Sequence, residues 1–184
     1  MNDFAKSIEM REKLIGAAFV AAAILFNHVW MGPAVILLSL GLVVSYALWA
    51  FLRWTEVSRS ALPIYFLGIV LLCVHSAEEF FAGFHREFPR RFGYQWSDVT
   101  FVGFNVAWIS LFLLAGLGAY RGVRLAYLLV LFFALGAGIL NGLGHLGATL
   151  AQGRYFPGTF TAPLLLLVGL VLLARLFRSP SPGM

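Results

Sequence analysis

The stretch LPIYFLGIVLLCVHSAEEFF, residues 62–81, decides the reading of this chain. It is apolar as far as Val74 and has the length that a helix needs to cross a hydrocarbon core about 30 Å thick. Its last third then carries His75, Glu78 and Glu79. One ionisable residue deep in a bilayer costs on the order of 2.5–3.5 kcal/mol. Three within five residues therefore need compensation from a metal ion, an arginine, a shared proton or a water-filled cavity. The stretch reads as a membrane-spanning helix that contributes to a buried polar site.

The rest of the chain supports a membrane setting. Of its 184 residues, 61% are hydrophobic and 11% charged, and the mean hydropathy is +0.88. Soluble domains carry about a quarter charged residues. Five further stretches are apolar enough to span: residues 14–31, 33–52, 99–119, 125–150 and 159–177. The expected fold is an all-α polytopic transmembrane bundle of six helices, forming one domain over residues 1–184 with short tails. The break between the first two rests on Gly32-Pro33, a turn signal with Pro at a first helical position; five spans follow if one of the pair is only interfacial. The first apolar run ends in Asn27-His28-Val29-Trp30 rather than at a small-residue cleavage site, so it reads as a retained helix. No fixed-period repeat and no low-complexity segment stands out.

The net charge of +5 does not point to nucleic acid, because the basic residues sit at helix ends, where they set topology. With six spans and an inward N-terminus, nine of the 13 lysines and arginines lie inside: Lys6, Arg11, Lys13, Arg53, Arg59, Arg121, Arg124, Arg175 and Arg178. Outside lie Arg86, Arg90, Arg91 and Arg154. This asymmetry puts both termini in the cytoplasm, and the expected compartment is a bacterial inner membrane. The single cysteine, Cys73, reads as a small buried hydrophobe. It lies about 200° around the helix from His75, which argues against a thiol ligand.

In that topology the polar residues share one depth. Asn27 and His28 end the first helix, His75, Glu78 and Glu79 end the third, Asn141 and His145 end the fifth, and Asn105 starts the fourth. All fall in the outer third of the membrane. Helical spacing places His75 beside both Glu78 and Glu79, and Asn141 beside His145. Inward-facing carboxylates with a Glu–His pair at this spacing build metal sites in helical bundles. Two adjacent carboxylates also repel unless a cation neutralises them. Imidazole plus carboxylate suits zinc, iron or manganese.

Several readings are open. The acid cluster is either a functional site or a structural one with Arg86 or Arg154 as counter-ion. His145 and Asn141 serve the site or a helix-packing hydrogen bond. His28 is a further ligand or an interfacial bystander, and Asn105 is second to the site or a packing residue. Between the third and fourth helices, Phe80, Phe81, Phe84, Phe88, Phe92, Tyr94 and Trp96 alternate with charges. They form either an aromatic belt with snorkelling arginines or a lid over the polar layer. Gly138 and Gly142, with Gly144 and Gly147 beyond, predict close packing of a central fifth helix.

The motif His75-Ser76-Ala77-Glu78-Glu79, the later His145 and the run Tyr155-Phe156-Pro157-Gly158-Thr159 resemble, in order, the hallmarks of the HXXEE domain family of small membrane proteins. That family has no settled activity, so the resemblance implies the site. Pro157-Gly158 is a turn signal, and Thr159 can cap the last helix. The Tyr155 hydroxyl can instead reach the site as a proton donor or substrate anchor. The acid pair and Asn-x-x-x-His are also similar to intramembrane CAAX-type proteases, from which the spacing and the lack of an arginine after the acids depart.

Together these residues point to a metal-dependent membrane enzyme. His75, Glu79 and His145, with His28, are the expected ligands of a divalent ion, and Glu78 and Tyr155 the catalytic groups. Asn141, Asn105, Arg86 and Arg154 surround them or meet the substrate. The expected reaction is hydrolysis of a lipid or lipid-linked substrate, hydrophobic or amphipathic, at the outer leaflet. Two alternatives are a metal-independent Glu/His proton-transfer isomerase and a lipid-binding or ion-coupled carrier, for which six helices are a small frame unless the protein forms a homodimer.

Overall fold

The computed structural model describes residues 8–51, 57 and 59–177. Among them every regular element is helical: α1 (Met10–Met31), α2 (Ile36–Phe51), α3 (Leu62–Phe81), the short α4 (Phe84–Glu87), α5 (Asp98–Tyr120), α6 (Arg124–Phe132), α7 (Asn141–Gln152) and α8 (Ala162–Phe177). Single 3-10 turns precede α2 and α3 and follow α4, and a π-helical segment, Phe133–Leu140, joins α6 to α7 without a break. Lys6, Leu52, Arg53 and Arg178, which entered the span and orientation readings, lie outside the described residues.

Four helical runs are long and apolar enough to cross a membrane: Met10–Phe51, Leu62–Phe81, Asp98–Tyr120 and Arg124–Gln152; α8, with 16 residues, is shorter. A straight run of 42 residues would reach about 60 Å, twice the hydrocarbon thickness. The chain folds back instead. The Tyr46 hydroxyl donates to the Lys13 carbonyl at 3.1 Å, and the Trp49 ring covers Gly16. The end of α2 thus lies beside the start of α1, and the predicted break makes six helices. Gly32 turns the chain with φ +68°, and a Cβ there would lie 2.5 Å from the Tyr94 ring. Only glycine satisfies both demands.

The bundle is all-α and polytopic, with large apolar side chains such as Leu25, Val70, Leu114 and Leu167 exposed on its outer faces. The run from α6 to α7 is its centre: 72% of its most apolar stretch is buried, against 33–44% for the other three runs. Glycine makes this possible. A Cβ at Gly138 would lie 2.8 Å from the Gly169 Cα of α8, and one at Gly142 would lie 2.9 Å from the Ala162 carbonyl. On the opposite side, α2 crosses where Gly41 faces Gly136. The expected packing role therefore holds for Gly138 and Gly142. It does not extend to Gly144 and Gly147: a Cβ on the first would meet only Leu37, at 3.8 Å, and one on the second would meet nothing.

The two ends of the bundle differ. At the end where α1 starts, Arg124 pairs with Glu12 at 2.8 Å and its carbonyl accepts Trp49 Nε1. At the other end the α3–α5 connection, with α4, lies across the helices, and Trp96 Nε1 donates to the Met31 carbonyl at 2.9 Å. The polar residues gather beneath this second end. The last helix begins at Ala162 rather than 159, because residues 153–161 form the turn that completes the site.

Candidate metal centre

On α3, His75 and Glu79 stand one turn apart and point into the bundle, 0% and 6% exposed; His145 of α7 meets them there, 3% exposed. Glu79 Oε1 lies 3.1 Å from His145 Nε2 and 3.5 Å from His75 Nε2. The two rings are perpendicular, with centroids 4.7 Å apart. One ligand atom from each residue falls within 4.8 Å of the others. Donors bound tetrahedrally to zinc at about 2.0–2.1 Å lie roughly 3.3 Å from one another. The two Glu79 distances match that spacing, so the group could hold a metal ion.

Glu78 does something different. Consecutive helical residues diverge by about 100°, and its carboxylate leaves the Glu79 side of α3 to meet the turn before α8. There it accepts four hydrogen bonds: Oε1 from the Tyr155 hydroxyl (2.8 Å) and Phe160 N (3.0 Å), Oε2 from Thr161 N (2.9 Å) and the Thr161 hydroxyl (2.5 Å). Thr161 is the N-cap of α8, so Glu78 neutralises the positive end of that helix. The expected crowding of two acids in one pocket is thus corrected. The expected role of Glu78 as catalytic base also loses its geometry, since four donors already occupy its lone pairs.

These bonds fix the histidines. The Thr161 hydroxyl hydrogen is directed to Glu78, so its oxygen accepts from His75 Nδ1–H at 2.7 Å. The Pro157 carbonyl can only accept, so His145 Nδ1 is also protonated, at 2.7 Å. Both rings consequently turn Nε2 toward Glu79. Outward hydrogen bonds of this kind orient metal-ligating histidines. Asn141 Nδ2 lies 3.0 Å from His75 Nε2; the same amide turned about its last torsion presents an oxygen to an ion there. Gly158 closes the arrangement with φ +93°, where a Cβ would lie 2.6 Å from the His145 ring and 3.0 Å from that of His75.

The structure also places the other predicted residues. His28 is exposed on α1 and bonds the Ile24 carbonyl of its own helix at 3.0 Å; it is not brought to the cluster. Arg86 and Arg154 are not counter-ions of the acid pair, for they reach Asp98 (3.4 Å) and Glu87 (2.6 Å) instead. Asn105 accepts from Ser76 and lines a cavity beside the cluster. Asn27, buried, accepts from Trp108 Nε1. Cys73 is exposed rather than buried, facing away from the cluster. Thr159 does not cap α8; its hydroxyl bonds the Phe156 carbonyl and Thr149. Thr161 and the Pro157 carbonyl were missed by sequence reasoning. Their signal is a hydroxyl directly before the apolar run of α8, three residues after Pro157-Gly158.

Tyr155 reaches Glu78, not Glu79. Burial, then the hydrogen bond to Glu78 and its negative charge, push the phenol from 10.0 up to about 12. A pKa raised on folding gives stability that is complete below pH 10 and is lost as pH climbs through about 12. Tyr155→Phe is therefore expected to melt below the wild type at neutral pH, with the difference vanishing between pH 10 and pH 12 in a thermal-melting series.

One wall of the cluster opens onto this cavity, which measures about 200 Å³ and is lined almost wholly by apolar side chains, with Glu79, His145, Asn141 and Asn105 as its polar side. Phe84, Phe88, Trp96 and Phe156 roof it. The roof is clamped by Glu87 to Arg91 and Arg154, by Arg91 over the Phe156 ring at 5.1 Å and by His85 to Asp98 at 2.9 Å. The aromatic run thus divides: these residues cover the site, while Phe81, Phe92 and Tyr94 are exposed.

Neither a curated protein nor a solved structure matches the chain. The family described as "Protein of unknown function with HXXEE motif" matches residues 66–173, from α3 into α8. That is more than half of the chain and takes in His75, Glu78, Glu79, His145 and Gly158, so the protein belongs to the HXXEE family.

Proposed function

We propose that the protein is a membrane-embedded, metal-dependent hydrolase of a lipid or lipid-linked substrate, working near the outer leaflet with both termini in the cytoplasm. One observation carries this reading: two buried histidines with outward-bonded Nδ1 atoms aim Nε2 at one buried carboxylate, at the wall of an apolar cavity. His75, Glu79 and His145 would hold the ion, zinc, iron or manganese by the chemistry of the donors, with Asn141 beside them. A divalent ion there supplies Lewis acidity and an activated water at neutral pH. Glu79 is the single acid of the cavity wall among the described residues, so its second oxygen is the proton acceptor nearest the substrate. Glu78, Thr161 and the Pro157 carbonyl are positioning groups that set the tautomers. The roof excludes water from the outer end.

Elemental analysis of protein purified in detergent tests the reading. The wild type and His28→Ala are expected to hold about one divalent ion per chain, and His145→Ala less than a tenth of that. A metal-free wild type overturns it. A second reading then gains ground from the 3.1 Å between Glu79 and His145, a hydrogen-bonding distance: a Glu/His pair moving a proton within an apolar substrate, active in the presence of a chelator.

A further inference from the structure

We infer that the substrate carries one hydrocarbon chain, acyl or isoprenyl, and that this chain enters the cavity sideways from the bilayer, between the start of α2 and α7. The inference deepens the hydrolase reading and rests on it for the head group alone. Three observations support it. α7 packs along α8 and joins the π segment, yet among the described residues no helix packs closely along its other side. On that side its surface is stripped to small residues: a Cβ at Gly144 would meet only the tip of Leu37, and Ala148 follows one turn later. Leu37 itself is 49% exposed while lining the cavity, so it stands at an opening and not in a sealed wall.

The cavity's shape chooses the occupant. It runs along α5 from Phe101 to Phe112, 11 residues on, about 17 Å of helix. Its volume of about 200 Å³ modestly exceeds the roughly 150 Å³ of a dry cavity that holds one benzene. Spread along that length, such a volume suits one chain rather than two. Its deep end is aromatic, at Trp108, Phe112 and Phe132, and its polar wall lies nearer the roof. A chain seated with its end on those rings brings its head group to Glu79 and His145. Because the opening faces hydrocarbon, entry requires no passage through water.

Photolabelling of the full-length protein in phosphatidylcholine vesicles tests this. The probes are a fatty acid with a chain-terminal diazirine and an isoprenyl alcohol with the same group, and labelled residues are read by mass spectrometry. At least one probe is expected to label Trp108, Phe112 or Phe132. Gly144→Trp and, independently, Ala148→Phe are expected to reduce that labelling more than tenfold at unchanged metal content and melting temperature. Labelling confined to lipid-facing positions such as Leu25 and Leu167, or deep labelling that neither variant reduces, overturns the inference. Deep labelling by both tails of a two-chain phospholipid carrying the same diazirines also overturns it. The acyl and isoprenyl arms separate the two sources of chain. Because labelling needs no ion, deep labelling of a metal-free protein retires the hydrolase and keeps the chain-binding cavity; a metal-loaded protein without deep labelling does the reverse.

Discussion

Glu79→Gln is expected to lower divalent-metal affinity more than 100-fold, while Glu78→Gln, one residue away, keeps a measurable site. Glu79 supplies the only formal negative charge in the donor group of His75, Glu79 and His145, and glutamine preserves its size while removing that charge. Loss of an outer hydrogen-bond partner costs about 10–100-fold in metal affinity, and loss of a charged ligand exceeds it. Glu78 is such an outer partner, acting through the Thr161 hydroxyl on His75 Nδ1. A glutamine at 78 offers one oxygen where four donors converge. It should therefore cost stability, about 1–3 kcal/mol for each buried donor left unpaired, and weaken the metal by the outer-partner factor. Metal titration of both variants with a fluorescent chelator as competitor measures the two affinities, and circular dichroism melting measures the fold. If the two variants bind metal alike, the division between ligand and positioning carboxylate fails. If Glu79→Gln binds like the wild type, Glu79 is no ligand.

The division between these neighbours shows how far the sequence can be read. Helical periodicity put His75 on one face with Glu79 and brought Asn141 near His145, and the common depth of the polar residues followed from counting spans. These inferences need only a rise and an angle per residue. Whether Glu78 shares the Glu79 pocket depends on what stands outside α3, and that is the turn 153–161, whose shape depends on tertiary contacts. The same ignorance made Arg86 and Arg154 plausible counter-ions, since sequence gives their depth but not that Asp98 and Glu87 stand closer. His28 had the right depth on the wrong helix: it lies on the exposed side of α1, and α1 packs on α2, α5 and α6 rather than on α3.

The π segment is a second feature that periodicity alone could not supply. Phe133–Leu140 carries bonds one residue longer than those of an α-helix, and each added residue rotates the remainder of the helix by about 100°. Extrapolating an unbroken α-helix from α6 would therefore aim Asn141 and His145 in a different direction. The segment lies where Gly136 and Gly138 let α2 and α8 approach from opposite sides. The packing that makes the fifth helix central also sets the rotation of its functional half. The glycines were legible as packing residues; their effect on register was not.

Gly158→Ala, a single added methyl group, is expected to do the second-largest damage. At φ +93° an alanine is strained, and its Cβ would stand 2.6 Å from both Cε1 and Nδ1 of His145 and 3.0 Å from His75 Cε1. Neither ring can retreat cheaply: His145 is tied to the adjacent Pro157 carbonyl and packed on Phe84 and Phe156, and His75 is held by Thr161 and Asn141. Overpacking costs typically 1–3 kcal/mol and a left-handed alanine about 1–2, so the sum is near 3 kcal/mol, or roughly 10 °C in melting midpoint for a chain of this size. Gly83 and Gly93 provide the control. Both have positive φ, 82° and 74°, but a Cβ on either meets nothing within 4 Å. Their alanine variants carry the backbone strain alone, about 1–2 kcal/mol, and should bind metal as the wild type does. Gly158→Ala should in addition lose at least tenfold in metal affinity, because the methyl group spreads the two imidazoles that must converge on Glu79. A Gly158→Ala protein that melts with the Gly83→Ala control and binds metal undiminished would mean that the glycine serves its turn only, and that the rings hold their places without it.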